Sequence, residues 1–135
     1  MFHPWGELRH LAHVIVIWAR PAPGIPAATD GERRIWIDPG LSQRERRCVL
    51  AHELVHLECR HHGCQSAAVE REVREAAARR LIAWERLVTE VPWARSLGEL
   101  ADELWVTEDV VLDRLAALSP EDLQHLQHVR AAAQD

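Results

Sequence analysis

The 135-residue chain contains no lysine, no asparagine and no tyrosine, one methionine and one phenylalanine, and it carries no surplus of positive charge. Its 16 cationic side chains, all arginine, stand against 21 acidic ones for a net charge of −5. Nothing global therefore draws it toward nucleic acid or an anionic membrane. Missing lysine and asparagine beside abundant alanine and arginine is the mark of GC-rich coding and says little about mechanism. A long apolar run is absent too: the longest, Val14 to Ala19, is about a third of what a bilayer span needs. Met1 to Glu7 lacks the basic, apolar and small-residue zones of a secretory leader. Three cysteines cannot all pair with one another, so reduced thiols and a cytoplasmic location are expected. The length argues against a two-domain enzyme, and one domain over 1–135 is expected. A composition of 47% hydrophobic and 27% charged residues places the chain in the globular class, and no repeat or low-complexity stretch interrupts it. What is in excess is histidine, nine residues, more than a fold alone requires.

Glu7 to His13 fits a short helix behind Pro4. Val14-Ile15-Val16-Ile17-Trp18 is a β-branched run, expected to be a strand buried on both faces. Pro21 to Gly31 holds three prolines and two glycines and reads as a loop. Arg34-Ile35-Trp36-Ile37-Asp38 is a second strand, closed by Pro39-Gly40, and the two strands are expected to pair as a small antiparallel ribbon. From Ser42 onward the pattern is helical. Ser42 and Glu45 form a capping box, and the helix they start runs through Val49, Leu50, Leu54 and Leu57 to about Arg60. A second long helix is expected from about Ser66 to Val88, its apolar stripe passing through Val69, Val73, Ala77, Leu81, Trp84 and Val88. Three short helices follow Pro92: Ser96 to Leu104, Thr107 to Leu118, and Ser119-Pro120 to about Ala133, with Ser96 and Glu99 at the spacing of a second capping box.

The chemistry lies in His52-Glu53-Leu54-Val55-His56, an HExxH motif in the middle of the first long helix. Residues four apart stand one above the other on a helix, so both imidazoles reach one tetrahedral metal ion, and neutral imidazole suits Zn²⁺. Glu53 is turned by roughly 100° from His52, which sets it beside the ion as a general base for an attacking water. The apolar neighbours Val49, Leu50, Leu54, Val55 and Leu57 put the motif on a partly buried helix, where unpartnered histidine and glutamate would be costly. The expected class is α+β, mostly helical, with a zincin-like HExxH helix packed on the β-ribbon and a C-terminal bundle of short helices.

A catalytic zinc needs a third protein ligand and one open position. Downstream candidates are Glu70, Glu72 and Glu75, His61 and His62, and Cys59 and Cys64. Glu70 shares a stripe with Val73 and Ala77, which should face the core; Glu72 and Glu75 lie further round among Arg71, Arg79 and Arg86, as solvated ion-pair partners. Cys59-Arg60-His61-His62-Gly63-Cys64 has the residue types of a second metal site without clean CxxC spacing, and reads better as a helix end.

The stretch Cys48-Val49-Leu50-Ala51-His52-Glu53-Leu54-Val55-His56, taken with Glu70-Arg71-Glu72-Val73-Arg74-Glu75-Ala76-Ala77-Ala78-Arg79-Arg80-Leu81-Ile82, resembles the ImmA/IrrE family of bacterial and phage metallopeptidases. Ile35-Trp36-Ile37-Asp38 with Leu41-Ser42, and Leu100 to Val106 with Val111 and Leu115, are similar to that family as well, so the resemblance covers about residues 8–118. It implies a third zinc ligand seven residues before the paired alanines, at Glu70, and a division into a metallopeptidase core over 1–95 and a helical tail over 96–135 packed on it. Arg74 departs from the pattern, which usually has Asn or Asp there, and Ala83-Trp84 replaces a proline, so the second helix is expected to run on.

The implied function is a zinc-dependent endopeptidase, with Glu53 catalytic and His52, His56 and Glu70 holding the metal. Its implied substrate is a helix-turn-helix repressor of a phage or mobile element, laid along the edge of Val14–Trp18 or Arg34–Asp38. The competing expectation is a non-catalytic antirepressor or immunity protein that grips a repressor and keeps zinc for structure. Many zinc peptidases stabilise the oxyanion with tyrosine or histidine. With no tyrosine here, His61 or His62 is the candidate by nearness to the motif, with His10, His13 or an arginine behind them. His3, His125 and His128 are expected to face solvent without a role. The tail has helix-turn-helix spacing, but residues 96–135 hold two arginines against nine acidic side chains, which argues against direct nucleic-acid binding.

Overall fold

Serine starts four of the helices. The computed structural model describes residues 1–134, and among them the chain forms α1 (Pro4–Arg9), β1 (Ile15–Trp18), β2 (Ala27–Thr29), β3 (Arg34–Ile37), α2 (Gln43–Glu58), α3 (Ala67–Leu81), α4 (Trp84–Glu90), α5 (Leu97–Leu104), α6 (Glu108–Ala116) and α7 (Pro120–Ala133). Ser42, Ser66, Ser96 and Ser119 each accept a hydrogen bond on Oγ from the backbone N–H three residues on, at 3.1–3.2 Å. Each such cap contributes about 1 kcal/mol. At Ser42 the bond is reciprocated, Glu45 Oε1 accepting from the Ser42 N–H at 2.9 Å. Ser96 and Glu99 make a one-sided cap instead of the expected box, and Thr107 starts α6 with no side-chain bond.

The class is α+β and mostly helical, as expected, but the sheet differs from an antiparallel ribbon. It has three strands in the order β1-β3-β2. β1 runs parallel to β3, pairing Ile15 with Arg34 and Trp18 with Ile37, and β2 runs antiparallel to β3, pairing Ala27 with Ile37 and Thr29 with Ile35. β2 lies inside the Pro/Gly-rich stretch read as a loop. Its turn into β3 is fixed by Asp30, whose Oδ1 accepts from the N–H groups of Glu32, Arg33 and Arg34 at 2.9 Å, and by Gly31 at φ +79°. β1 is an edge strand, and Ile15 and Trp18 are half exposed where burial on both faces was expected.

α2 is held on two sides. Leu50, Leu54 and Leu57 pack on Ile35 and Ile37 of the sheet, while Cys48, Ala51 and Val55 pack on Val73, Ala77 and Leu81 of α3 and on the helices behind them. Each fully buried leucine or isoleucine contributes roughly 1.5–3 kcal/mol. The tail joins the second of these clusters through Leu100, Leu104, Val106, Val111 and Leu126.

The second long helix does not run on. It stops at Leu81, with Ile82 and Ala83 extended before α4 begins. Two buried arginines take the freed carbonyls: Arg114 Nε donates to Ile82 O at 2.9 Å, and Arg47 Nη2 to Leu81 O at 3.4 Å. The break turns the Ile82 side chain into the core. Arg47 also donates to Trp105 O and Phe2 O, tying the tail and the N-terminus to α2. No helix of the described residues is long and apolar enough to cross a membrane.

Candidate metal centre

α2 ends in a backbone turn that shapes the site. Arg60 takes a left-handed conformation at φ +55°, its N–H donates to Leu57 O at 3.1 Å, and the His61 N–H donates to His56 O at 3.0 Å. These two bonds are a Schellman motif, which satisfies the last carbonyls of the helix and folds His61 back over His56. Ser66 then starts α3, so that Glu70, in its first turn, meets the motif face of α2.

His52, His56 and Glu70 converge. The Nε2 atoms of the two histidines lie 3.2 Å apart, and Glu70 Oε2 is 3.3 Å from His52 Nε2 and 3.2 Å from His56 Nε2. Ligands on a tetrahedral ion with bonds of about 2.0–2.1 Å stand about 3.3–3.4 Å apart, so the three donors form one near-ideal face of that tetrahedron. The donor set, two imidazoles and a carboxylate, also suits a divalent transition metal, and among the described residues no fourth His, Cys, Asp or Glu joins the group. Burial, followed by the neighbouring His56, lowers the pKa of His52 against the pull of the Glu70 carboxylate, favouring the neutral ring that binds a metal. Among the described residues, this is the only group of three or more His, Cys, Asp or Glu side chains placed to hold an ion.

Glu53 is buried beside the triangle, and its pKa is pushed up to about 7 by burial and then by the Glu70 carboxylate. A divalent cation at the triangle would pull it back down. Without an ion it is a carboxyl group able to exchange a proton near neutral pH.

Two cavities flank Glu53 and share His52, Glu53 and Ala27. One, of about 420 Å³, runs past Val49, Ala77 and Arg74 toward Asp113; the other, of about 370 Å³, passes His56, His61, Cys64 and Thr29. The β2 strand borders both, whereas β3 has strands on each side and β1 lies beyond it. The edge beside the site is thus β2, and neither of the two edges expected from sequence.

The other candidates separate. His61 Nδ1 lies 3.0 Å from His56 Nδ1, on the side of the His56 ring away from Glu70. It is positioned by the turn and by Gly31, where a Cβ would collide with the His61 carbonyl. His62 is exposed and faces Glu32 at 3.7 Å. Glu72 is exposed and Glu75 half-buried, and neither joins the donor group; Cys59 and Cys64 are exposed free thiols outside it. Sequence reasoning missed β2 and Gly31; the Asp30-Gly31 pair, a hairpin signal, was the clue.

The sequence profile of the peptidase M78 family, described as an IrrE N-terminal-like domain, matches residues 20–116. The chain belongs to this family. No curated protein and no solved structure matches it. Membership in M78 supports a metallopeptidase-type function, and the matched span contains the whole donor triangle, Glu53, β2 and both cavities' floor on α2 and α3.

Proposed function

We propose that this M78-family chain is a zinc-dependent endopeptidase in which His52, His56 and Glu70 hold the metal and Glu53 is the general base. The observation that carries this is the donor triangle of 3.2–3.3 Å edges with a buried carboxyl group beside it. Zinc bound there would supply Lewis acidity, lowering the pKa of a water toward neutrality and polarising a carbonyl. Glu53 takes the proton as the water oxygen bonds to the scissile carbonyl carbon, then hands it to the amine nitrogen as the C–N bond breaks. An extended substrate pairs its backbone with β2, and its side chains on either side of the scissile bond enter the two cavities.

The substrate class we propose is a helix-turn-helix repressor of a phage or mobile element, met in a reducing cytoplasm. It rests on the resemblance to ImmA/IrrE proteins and agrees with three free thiols. An antirepressor that only grips its partner fits less well, because a structural zinc site is closed by protein ligands while this one opens on two cavities. Glu53→Gln decides between them. The variant should keep its metal and its repressor binding and lose cleavage; a variant that relieves repression as well as wild type would make the protein a binder.

A further inference from the structure

We propose that Arg74 is the group that stabilises the oxyanion, the part that a chain without tyrosine leaves vacant. This rests on the endopeptidase function proposed above. His61 borders the smaller cavity, but its Nδ1 is engaged by His56 Nδ1 at 3.0 Å. His62 points outward at Glu32. Arg74 is one helical turn after Glu70 on α3, and residues four apart on a helix have Cβ atoms about 5–6 Å apart on one face. It therefore rises from the same face as the third metal donor.

Arg74 forms part of the wall of the larger cavity, together with His52 and Glu53, and it is the only lysine or arginine lining either cavity at the site among the described residues. Its ion-pair partner, Asp113, is held loosely, with Nε to Oδ1 at 3.6 Å, beyond hydrogen-bond length, and the side chain is 47% exposed. Contrast Arg47 and Arg114, both buried and both donating to backbone carbonyls. Arg74 is a cation on the cavity wall, ion-paired with Asp113 at 3.6 Å but too far from it for a hydrogen bond.

When water adds to the scissile carbonyl, one C–O bond forms, the π pair moves to the carbonyl oxygen, and Glu53 holds the proton. Arg74 donates N–H bonds to that oxygen while it is negative. The pair returns as the C–N bond breaks and Glu53 delivers the proton to the amine. The guanidinium is unchanged at the end.

The test uses the zinc-loaded full chain and two probes: a pool of quenched fluorescent peptides, and a phosphinic peptide whose tetrahedral anionic oxygens imitate the intermediate. Arg74→Gln should lower kcat about 10²-fold with KM changed less than about threefold, and weaken the phosphinic peptide by a similar factor of about 10². Zinc affinity, and binding of a plain peptide measured in the Glu53→Gln background, should stay within about threefold. Arg74→Lys should recover part of the loss. Asp113→Asn removes the ion pair and leaves the cation, so the phosphinic peptide should bind it as tightly as wild type or tighter. Wild-type affinity for the phosphinic peptide in Arg74→Gln would overturn the proposal, as would an equal loss in Asp113→Asn or an equal loss for the plain peptide. If wild type and Glu53→Gln alike fail to cut the pool, the endopeptidase function falls separately, while the phosphinic peptide still reports on Arg74.

Discussion

The two helices that build the site are anchored in different ways. α2 lies between two apolar clusters, with Leu50 and Leu54 fully buried against the sheet and Ala51 and Val55 against α3. α3 buries only one side, through Val73, Ala77, Ala78 and Leu81, and leaves Arg71, Glu72, Arg74 and Arg79 exposed. His52, Glu53 and His56 come from the doubly anchored helix. Glu70 and Arg74 come from the helix with a solvent face, beside the cavities a substrate would enter. Interiors are bistable or rigid rather than deformable, so this division separates a fixed half of the site from an accessible half.

Truncating a side chain on each helix should separate the two most widely. Leu54→Ala on the sheet side of α2 should cost about 2–5 kcal/mol of stability, against less than about 0.5 kcal/mol for Glu72→Ala on α3, read from urea midpoints at constant slope. Equal losses would mean that α2 is not the anchored partner.

Next comes the charge inside the fixed half. Glu53 has a folded-state pKa of about 7, above its ordinary 4.5. In metal-free protein the stability tied to its protonated form is therefore complete below about pH 4.5 and is lost as the pH rises through about 7. Glu53→Gln keeps the shape without the charge. At pH 8, with chelator present, it should exceed wild type by roughly 1–3 kcal/mol, and the gap should close toward pH 4.5. Parallel pH profiles for the two proteins would show that Glu53 is not charged at a cost.

A third effect concerns what orients His56. If His56 presents Nε2 to a metal, its Nδ1–H donates to His61 Nδ1, a second hydrogen bond that fixes tautomer and ring angle. His61→Ala should weaken zinc binding about 10–100-fold, in competition with a chromophoric chelator, while His62→Ala should leave it unchanged. The smallest expected effect lies in the turn between the helices. Arg60 occupies a left-handed conformation that glycine adopts without strain, so Arg60→Gly should stabilise the chain by about 1 kcal/mol, with zinc affinity preserved.

Features set within a few residues of one another were legible from sequence. The Ser42 capping box, the apolar flanks of the motif and the stacking of His52 on His56 follow from helix period alone, and the facing of Glu70 with Val73 and Ala77 follows from the same period one helix later. Long-range choices were not. β2 is three residues long and exists because β3 pairs with it, so the prolines around it read as loop. The orientation of β1 depends on the path of the chain between Trp18 and Arg34. The break after Leu81 is sustained by Arg47 and Arg114, each more than thirty residues away. His61 is near the motif in sequence, as read, and the Schellman turn sets it against the His56 ring at the border of the smaller cavity, a placement that helix period alone does not give.

The two helices meet in the proposed metal site, His52 and His56 from α2 completed by Glu70 from α3. Equilibrium dialysis against buffered zinc, followed by elemental analysis of wild type, Glu70→Ala and Glu72→Ala, tests it most directly. One zinc per chain should be retained by wild type and by Glu72→Ala, with affinity falling by at least about 10²-fold in Glu70→Ala. Full zinc retention in Glu70→Ala, or its loss in Glu72→Ala, would show that Glu70 is not the third ligand.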